Sequence, residues 1–159
     1  MEMPETLVPF QNQRYKCRIC GECCHRRRVP LTAHDIERLQ GYRDPQEFIV
    51  IYGEKRFVME KRVWDDGCVF LYDGKCTIHK DKPLICRLFP VAMSQTPLSE
   101  GSIAFELADR SRVYLYIDVS CPGVGEGPPL ETQPLLDLCL AVRNEMLVTD
   151  LSEVLKVIR

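Results

Sequence analysis

Along this 159-residue chain the spacing of apolar and polar positions changes repeatedly, and each change marks an element. After Thr32, Asp35 stands three residues on, and Ile36 and Leu39 share a helical face before Gly41, which predicts a helix over residues 33–40 opened by a capping box. A second helical turn is predicted from Pro45 through Phe48 and Ile49 to Gly53. Residues 56–64 interleave β-branched and aromatic side chains with charges, as a strand does. The runs 68–72 and 75–79 flank Asp73-Gly74, a hairpin signal, because that pair tolerates the positive φ values of a two-residue turn. A regular hairpin there sets Tyr72 opposite Lys75 and Leu71 opposite Cys76, with Cys68 and Cys76 on opposite faces. Asp81 and Pro83 open a helical turn carrying Cys86 and Arg87, which Pro90 stops.

A further hairpin is predicted between residues 103–108 and 113–119, where Ile, Val, Tyr and Phe flank the polar stretch 109–112. Trp64, Tyr114 and Tyr116 have strand-like contexts and read as core or half-buried sheet residues. Pro and Gly concentrate in residues 121–129, which reads as an irregular loop. Beyond it the period becomes helical: Pro134 suits a first turn after Thr132, and Leu135, Leu138, Cys139, Val142 and Met146 form one stripe. Asp150 and Glu153 cap a last helix reaching Ile158. The expectation is an α+β fold, one small domain over residues 1–159, with short helices, one or two β-hairpins, long loops and C-terminal helices at 132–158. So few long elements leave a thin core, which a metal staple would reinforce.

Composition narrows the function classes. With 45% hydrophobic and 28% charged residues the chain suits a globular domain rather than a disordered one. A net charge of -2 offers a nucleic-acid backbone no attraction. The apolar run 135–142 is broken by Asp137 and falls far short of the roughly 18 residues that cross a bilayer. Neither a nucleic-acid nor a membrane partner is expected; an unidentified protein or small molecule is. Residues 1–10 lack a basic segment followed by an apolar stretch, so a reducing, cytoplasmic setting is expected. Nine cysteines, an odd number, then read as metal ligands or reactive thiols in place of disulfides.

Cys17, Cys20, Cys23 and Cys24 form the strongest signal. A Cys-x2-Cys step turns two sulfurs toward one metal while intervening amides point at the thiolates, and Gly21 gives the turn its freedom. Neighbouring side chains diverge, so Cys23 and Cys24 more easily serve two metals, or two irons of one cluster, than one tetrahedral ion. Cys68, Cys76, Cys86 and Cys121 bring the thiols to eight, the number two four-cysteine sites require. The Cys-x2-Cys-x2-Cys run, with a Cys-Pro at Cys121, is reminiscent of ferredoxin ligation and tilts the choice of cofactor toward an iron-sulfur cluster over zinc. Arg26, Arg27 and Arg28 read as a solvated face or as counter-charge, which beside clustered thiolates lowers thiol pKa.

Cys139 lies on the apolar stripe and reads as a small core hydrophobe. His25, His34 and His79 receive no ligand assignment, and Arg87 reads as a surface ion-pairing residue rather than an anion donor. No Ser-His-Asp order, phosphate loop or glycine-rich nucleotide fingerprint identifies a reaction.

The segments CRICGECC (17–24), CVFLYDGKCTIHKDKPLICRLFP (68–90) and CPGVGEG (121–127) resemble the CxxCxxCC, or YkgJ-like, cysteine-cluster family, described as a zinc- or iron-chelating domain. The likeness covers residues 17–127, with His79 and Lys82 standing where members usually have Tyr and Arg. It implies metal ligands at Cys17, Cys20, Cys23, Cys24, Cys68, Cys76, Cys86 and Cys121, with Arg87 and Pro90 in a shared CR-x-FP segment. Members are often labelled iron-sulfur oxidoreductases, and a related cluster occurs in flagellin lysine methylases. Three functions therefore compete: an iron-sulfur oxidoreductase or electron carrier, a zinc-stabilised interaction module without catalysis, and a metal-dependent protein-modifying enzyme. The last needs an open metal position, which eight thiols over two metals do not leave.

Overall fold

The structure, a computed structural model, describes residues 6–18, 28–53 and 56–159. In chain order its elements are β1 (Leu7–Pro9), β2 (Arg14–Tyr15), α1 (Ala33–Leu39), α2 (Pro45–Phe48), β3 (Ile49–Tyr52), β4 (Arg56–Met59), β5 (Leu71–Tyr72), β6 (Lys75–Cys76), α3 (Leu84–Leu88), β7 (Val91–Ser94), β8 (Ala104–Glu106), β9 (Arg112–Asp118), β10 (Val124–Pro129), α4 (Thr132–Val148) and α5 (Leu151–Val157). Helices and strands occur in comparable amounts and the sheets are small, so the fold is α+β. The chain divides into two compact units interleaved in sequence, one of Met1–Arg18 with Leu88–Ala141, the other of Ile19–Arg87 with Val142–Arg159.

The first unit is organised by β9. Its Val113, Leu115, Tyr116 and Ile117 are buried, which fits a strand flanked by partners. β7 pairs with residues 114–117, β8 with 112–114 and β1 with 116–118, all antiparallel. The β8–β9 pair is the hairpin that the polar stretch 109–112 predicted. Tyr116 is fully buried and its hydroxyl is satisfied by the Leu98 N–H and the Ser102 hydroxyl. The segment read as an irregular loop holds β10, paired with β2 through an irregular register. The pairing requires glycine: a Cβ on Gly123 would overlap the Lys16 carbonyl oxygen, and one on Gly127, at φ 76°, would sit 2.7 Å from the Tyr15 oxygen.

In the second unit, α1 has the capping box expected of Thr32 and Asp35. Its Ile36 and Leu39 join Phe48, Phe57, Met59, Cys68, Phe70, Leu71, Ile78 and Val154 in one hydrophobic cluster. The second predicted helix is cut short: α2 ends at Phe48, and Ile49 to Tyr52 form β3, paired residue for residue with β4. The β-branched run Ile49-Val50-Ile51 packs better on a pleated surface with a partner in reach than on a helix. The strand expected over 56–64 stops at Met59, because residues 63–65 turn. Trp64 is consequently 80% exposed, not a core or half-buried sheet residue, whereas Tyr114 is half-buried as expected.

The Asp73-Gly74 hairpin forms in the expected register, Leu71 with Cys76 and Tyr72 with Lys75, and both turn residues have positive φ. It is shorter than predicted. Cys68 and His79 lie outside its strands, and the Leu71 N–H closes a turn onto the Cys68 carbonyl. In the C-terminal part, α4 buries Leu135, Cys139 and Val142, and Asp150 caps α5 through the Glu153 N–H, both as the pattern predicted. Among the described residues no helix is long and apolar enough to cross a membrane.

Candidate metal centre

Two of the eight predicted ligands belong to the first unit. β2 ends at Tyr15, and the next residue, Lys16, donates its N–H to the Gly123 carbonyl at 3.0 Å. Arg14 Nε donates to the Gly127 carbonyl at 2.6 Å, and the Arg18 guanidinium pairs with Glu126. Cys17 thus lies between two residues tied to the loop that begins at Cys121, and the turn from Cys121 to Val124 closes by its own hydrogen bond. Strand pairing brings together backbone segments far apart in sequence. The Arg18 guanidinium, foremost by its hydrogen bond, holds the Glu126 carboxyl below the usual carboxylate range.

Three more belong to the second unit and share its hydrophobic cluster: Cys68 is buried in it, with Cys76 and Cys86 packed against it. The Cys68 thiol is pushed up chiefly by burial and further by the Cys76 thiol, while the Phe70 backbone N–H, Lys61 and Arg62 act in the opposite direction. Cys68 and Cys76 are therefore electrostatic neighbours. A regular hairpin would have set them on opposite faces, and the turn over Cys68 to Leu71 removes that constraint by ending the pleat before Cys68. An amide N–H directed at a sulfur two residues back, with cations nearby, stabilises a thiolate as metal sites require.

Cys86 rides on α3, whose position is set from below by a residue read in the sequence only as a cap. Asp35, fully buried, accepts from the Thr32 N–H at 3.0 Å, from Arg38 at 2.9 Å and from the Leu84 N–H at 3.2 Å. Arg38 also reaches the Lys82 carbonyl at 3.2 Å. One carboxylate therefore joins the start of α1 to the start of α3. Thr32 with Asp35 announces the cap; the contact to Leu84, 49 residues away, has no local signal.

The other candidates are placed as follows. Arg87 is exposed and its Nε donates to the Lys82 carbonyl at 3.1 Å; among the described residues it makes no ion pair of the kind expected. His34 is exposed on α1, with Nδ1 3.1 Å from Glu145. The His79 pKa is lowered by burial and by Lys82. Cys139 is fully buried in α4, and burial alone pushes its thiol up to about 11, the behaviour of a core residue. Cys20, Cys23, Cys24 and His25 lie outside the described residues, as do Gly21, Arg26 and Arg27. Among the described residues no three Cys, His, Asp or Glu side chains gather as a metal-holding group. The donor set is nonetheless thiol-rich, and a buried thiol with an N–H aimed at it suits a thiophilic cation such as zinc or iron.

Comparison with known proteins agrees with this chemistry. The chain is 31% identical over 90 residues to "Uncharacterized protein MJ0939" of Methanocaldococcus jannaschii, an alignment covering 52% of this chain and 31% of that protein. It thus spans about a third of the length of the curated relative it matches. No solved structure matches it. The model of the CxxCxxCC family, "Putative zinc- or iron-chelating domain", matches residues 16–122, a span that holds every cysteine but Cys139. Covering most of the chain, that match makes this protein a member of the CxxCxxCC family of zinc- or iron-chelating domains.

Proposed function

We propose that Cys17, Cys20, Cys23, Cys24, Cys68, Cys76, Cys86 and Cys121 are the metal ligands of this chain, and that the bound group is an iron-sulfur centre serving oxidoreduction or electron transfer. The observation that carries the ligand set is the environment of Cys68: a neighbouring thiol, an N–H aimed at its sulfur and two cations nearby. The preference for iron-sulfur rests on the Cys-x2-Cys-x2-Cys run and the Cys-Pro at residue 121. A bound centre would supply one-electron chemistry; the protein's part is to hold the thiolates and set their surroundings by amide donors, cations and burial. The protein works in the cytoplasm and meets a protein or small-molecule partner, not nucleic acid or membrane.

Anaerobic purification followed by metal analysis and an absorbance spectrum tests this reading. The expected result is a brown protein holding iron and sulfide, absorbing at roughly 400 nm and bleaching with dithionite. Colourless protein with stoichiometric zinc would overturn it in favour of a second reading, a zinc-stabilised interaction module. That second reading has its own support, since Cys68 is buried in a hydrophobic cluster of its unit and Cys76 and Cys86 pack against that cluster, where a metal would act as part of the core. Under it, a chelator unfolds the protein.

A further inference from the structure

A cavity of about 470 Å³ opens on the second unit, within the usual range for small-molecule sites. Arg43, Arg62, Trp64, Phe70, Leu71 and Tyr72 line it. Phe70 and Leu71 are buried and form its floor, while Trp64 and Tyr72 stand 80% and 75% exposed at its rim. Large aromatic rings left in water forgo the burial that usually places them inside, and such exposure marks binding surfaces.

The indole is not on a loose tip. Arg62 grips Asp65 through Nε at 3.0 Å and Nη2 at 2.7 Å, and its Nη1 donates to the Leu71 carbonyl at 2.6 Å. Its backbone N–H bonds to the Gly67 carbonyl at 2.7 Å and its carbonyl accepts from Asp66 at 3.0 Å. The guanidinium lies 5.7 Å from the centre of the indole ring. This closed turn presents Trp64 with little ordering left to be lost when a ligand arrives.

Charge on the lining is uneven. Asp65 neutralises Arg62, but among the described residues no carboxylate pairs with Arg43, which is exposed and whose guanidinium lies 5.9 Å from the Phe70 ring centre. The cavity thus offers two exposed aromatic side chains and, among the described residues, one guanidinium without a carboxylate, suited to stacking and to bidentate recognition of a carboxylate or phosphate.

We propose that this cavity binds a planar aromatic ring carrying an anionic group, the ring against Trp64 and Tyr72 and the anion on Arg43. The site stands apart from the identity of the bound metal, although its floor is the segment between Cys68 and Cys76.

Trp64 is the sole tryptophan of the chain, so intrinsic fluorescence reads the site directly. The whole protein, with whatever metal it carries on purification, is titrated with two pairs of probes: benzoate against benzamide, and AMP against adenosine. The expected result is saturable quenching in which the charged member of at least one pair binds about tenfold more tightly than its neutral partner. Preference for benzoate identifies a carboxylate ligand, and preference for AMP a phosphate. Arg43→Ala, at an exposed position, removes that tenfold difference and leaves the neutral partner's affinity unchanged. Trp64→Leu, followed by calorimetry, weakens both members. Absence of saturable quenching by either anion at millimolar concentration overturns the proposal, as does equal binding within both pairs or an affinity for the anion that Arg43→Ala does not change.

Discussion

Cys68 and Cys139 are both buried and both harder to ionise than an ordinary cysteine, but the regions around them differ in kind. Around Cys139, in the middle of α4, burial is the only influence on the thiol. At the Cys68 turn, burial is opposed by an amide N–H and two cations, and a second thiol stands close enough to be felt. The first is a cysteine used for its size; at the second, polar and charged neighbours act on the thiol as well as burial. Burial alone does not distinguish a ligand from a core residue. On the proposed ligand set, the polar groups gathered around the sulfur do.

The largest expected effect tests that distinction at the metal. Cys68→Ser should strip the protein of most of the metal held by its cluster, whereas Cys139→Ala should leave metal content unchanged and cost about 1 kcal/mol or slightly more through the small cavity it creates. Metal analysis of the two variants, purified side by side, checks it. Equal metal content would contradict the division of the cysteines. Cys20→Ser serves the same purpose in the amino-terminal run and should behave like Cys68→Ser.

Much of this contrast is legible in the sequence. Cys139 falls on a helical stripe with Leu135, Leu138, Val142 and Met146, and a 3.6-residue period is a local property that the helix obeys. The Asp73-Gly74 turn and the Thr32–Asp35 cap are equally local and form in the expected places. The environment of Cys68 is not legible, because it depends on where the pleat of β5 stops, and no residue between Cys68 and Leu71 marks that point. The pairing of β2 with β10 is hidden for another reason: glycines and prolines fill β10, and its glycines serve close approach to Lys16 and Tyr15, more than 100 residues away. Ile49 to Tyr52 suit a strand by composition, but the preceding Pro45 points to a helix, and only the presence of β4 decides between them.

Asp35 extends the comparison to the mount of Cys86. Its carboxylate satisfies two buried backbone N–H groups and a guanidinium, so Asp35→Ala leaves all three without their partner and should destabilise the protein by about 3 kcal/mol or more. Denaturant unfolding measures the loss. Asp35→Asn, which keeps an acceptor but gives up the charge opposite Arg38, should recover part of it. If the two substitutions cost the same, the charge rather than the acceptor is what holds α1 to α3.

The pH dependence of stability isolates Cys139. Its folded pKa, about 11, lies above the ordinary thiol value near 9, so the folded state keeps its proton while the unfolded state loses it. The contribution is fully present below about pH 9 and disappears as pH rises through 11, for a total of about 2 to 3 kcal/mol. Comparing wild type with Cys139→Ala by unfolding at pH 8 and pH 11 should show the gap between them narrowing at the higher pH. A gap that stays constant would mean that the Cys139 thiol ionises as easily folded as unfolded.

The smallest effect concerns the turn that leads into Cys68. Gly67 lies under the Arg62–Asp65 ion pair, and a Cβ there would come within 2.5 Å of Arg62 Nη2 and 3.0 Å of Asp65 Oδ1. Arginine side chains usually yield to such contact, but this one is anchored by three bonds, to both carboxylate oxygens and to the Leu71 carbonyl. Gly67→Ala should therefore either push the guanidinium off Asp65 or shift the backbone just before Cys68, at a cost of about 1 kcal/mol. The two outcomes differ at the thiol. Displacement of Arg62 alone moves the Trp64 fluorescence and leaves metal content intact, whereas a backbone shift lowers metal content with little change in fluorescence. Neither change would show that the turn bears no strain on the cysteine it precedes, and that Cys68 is positioned by the hydrophobic cluster alone.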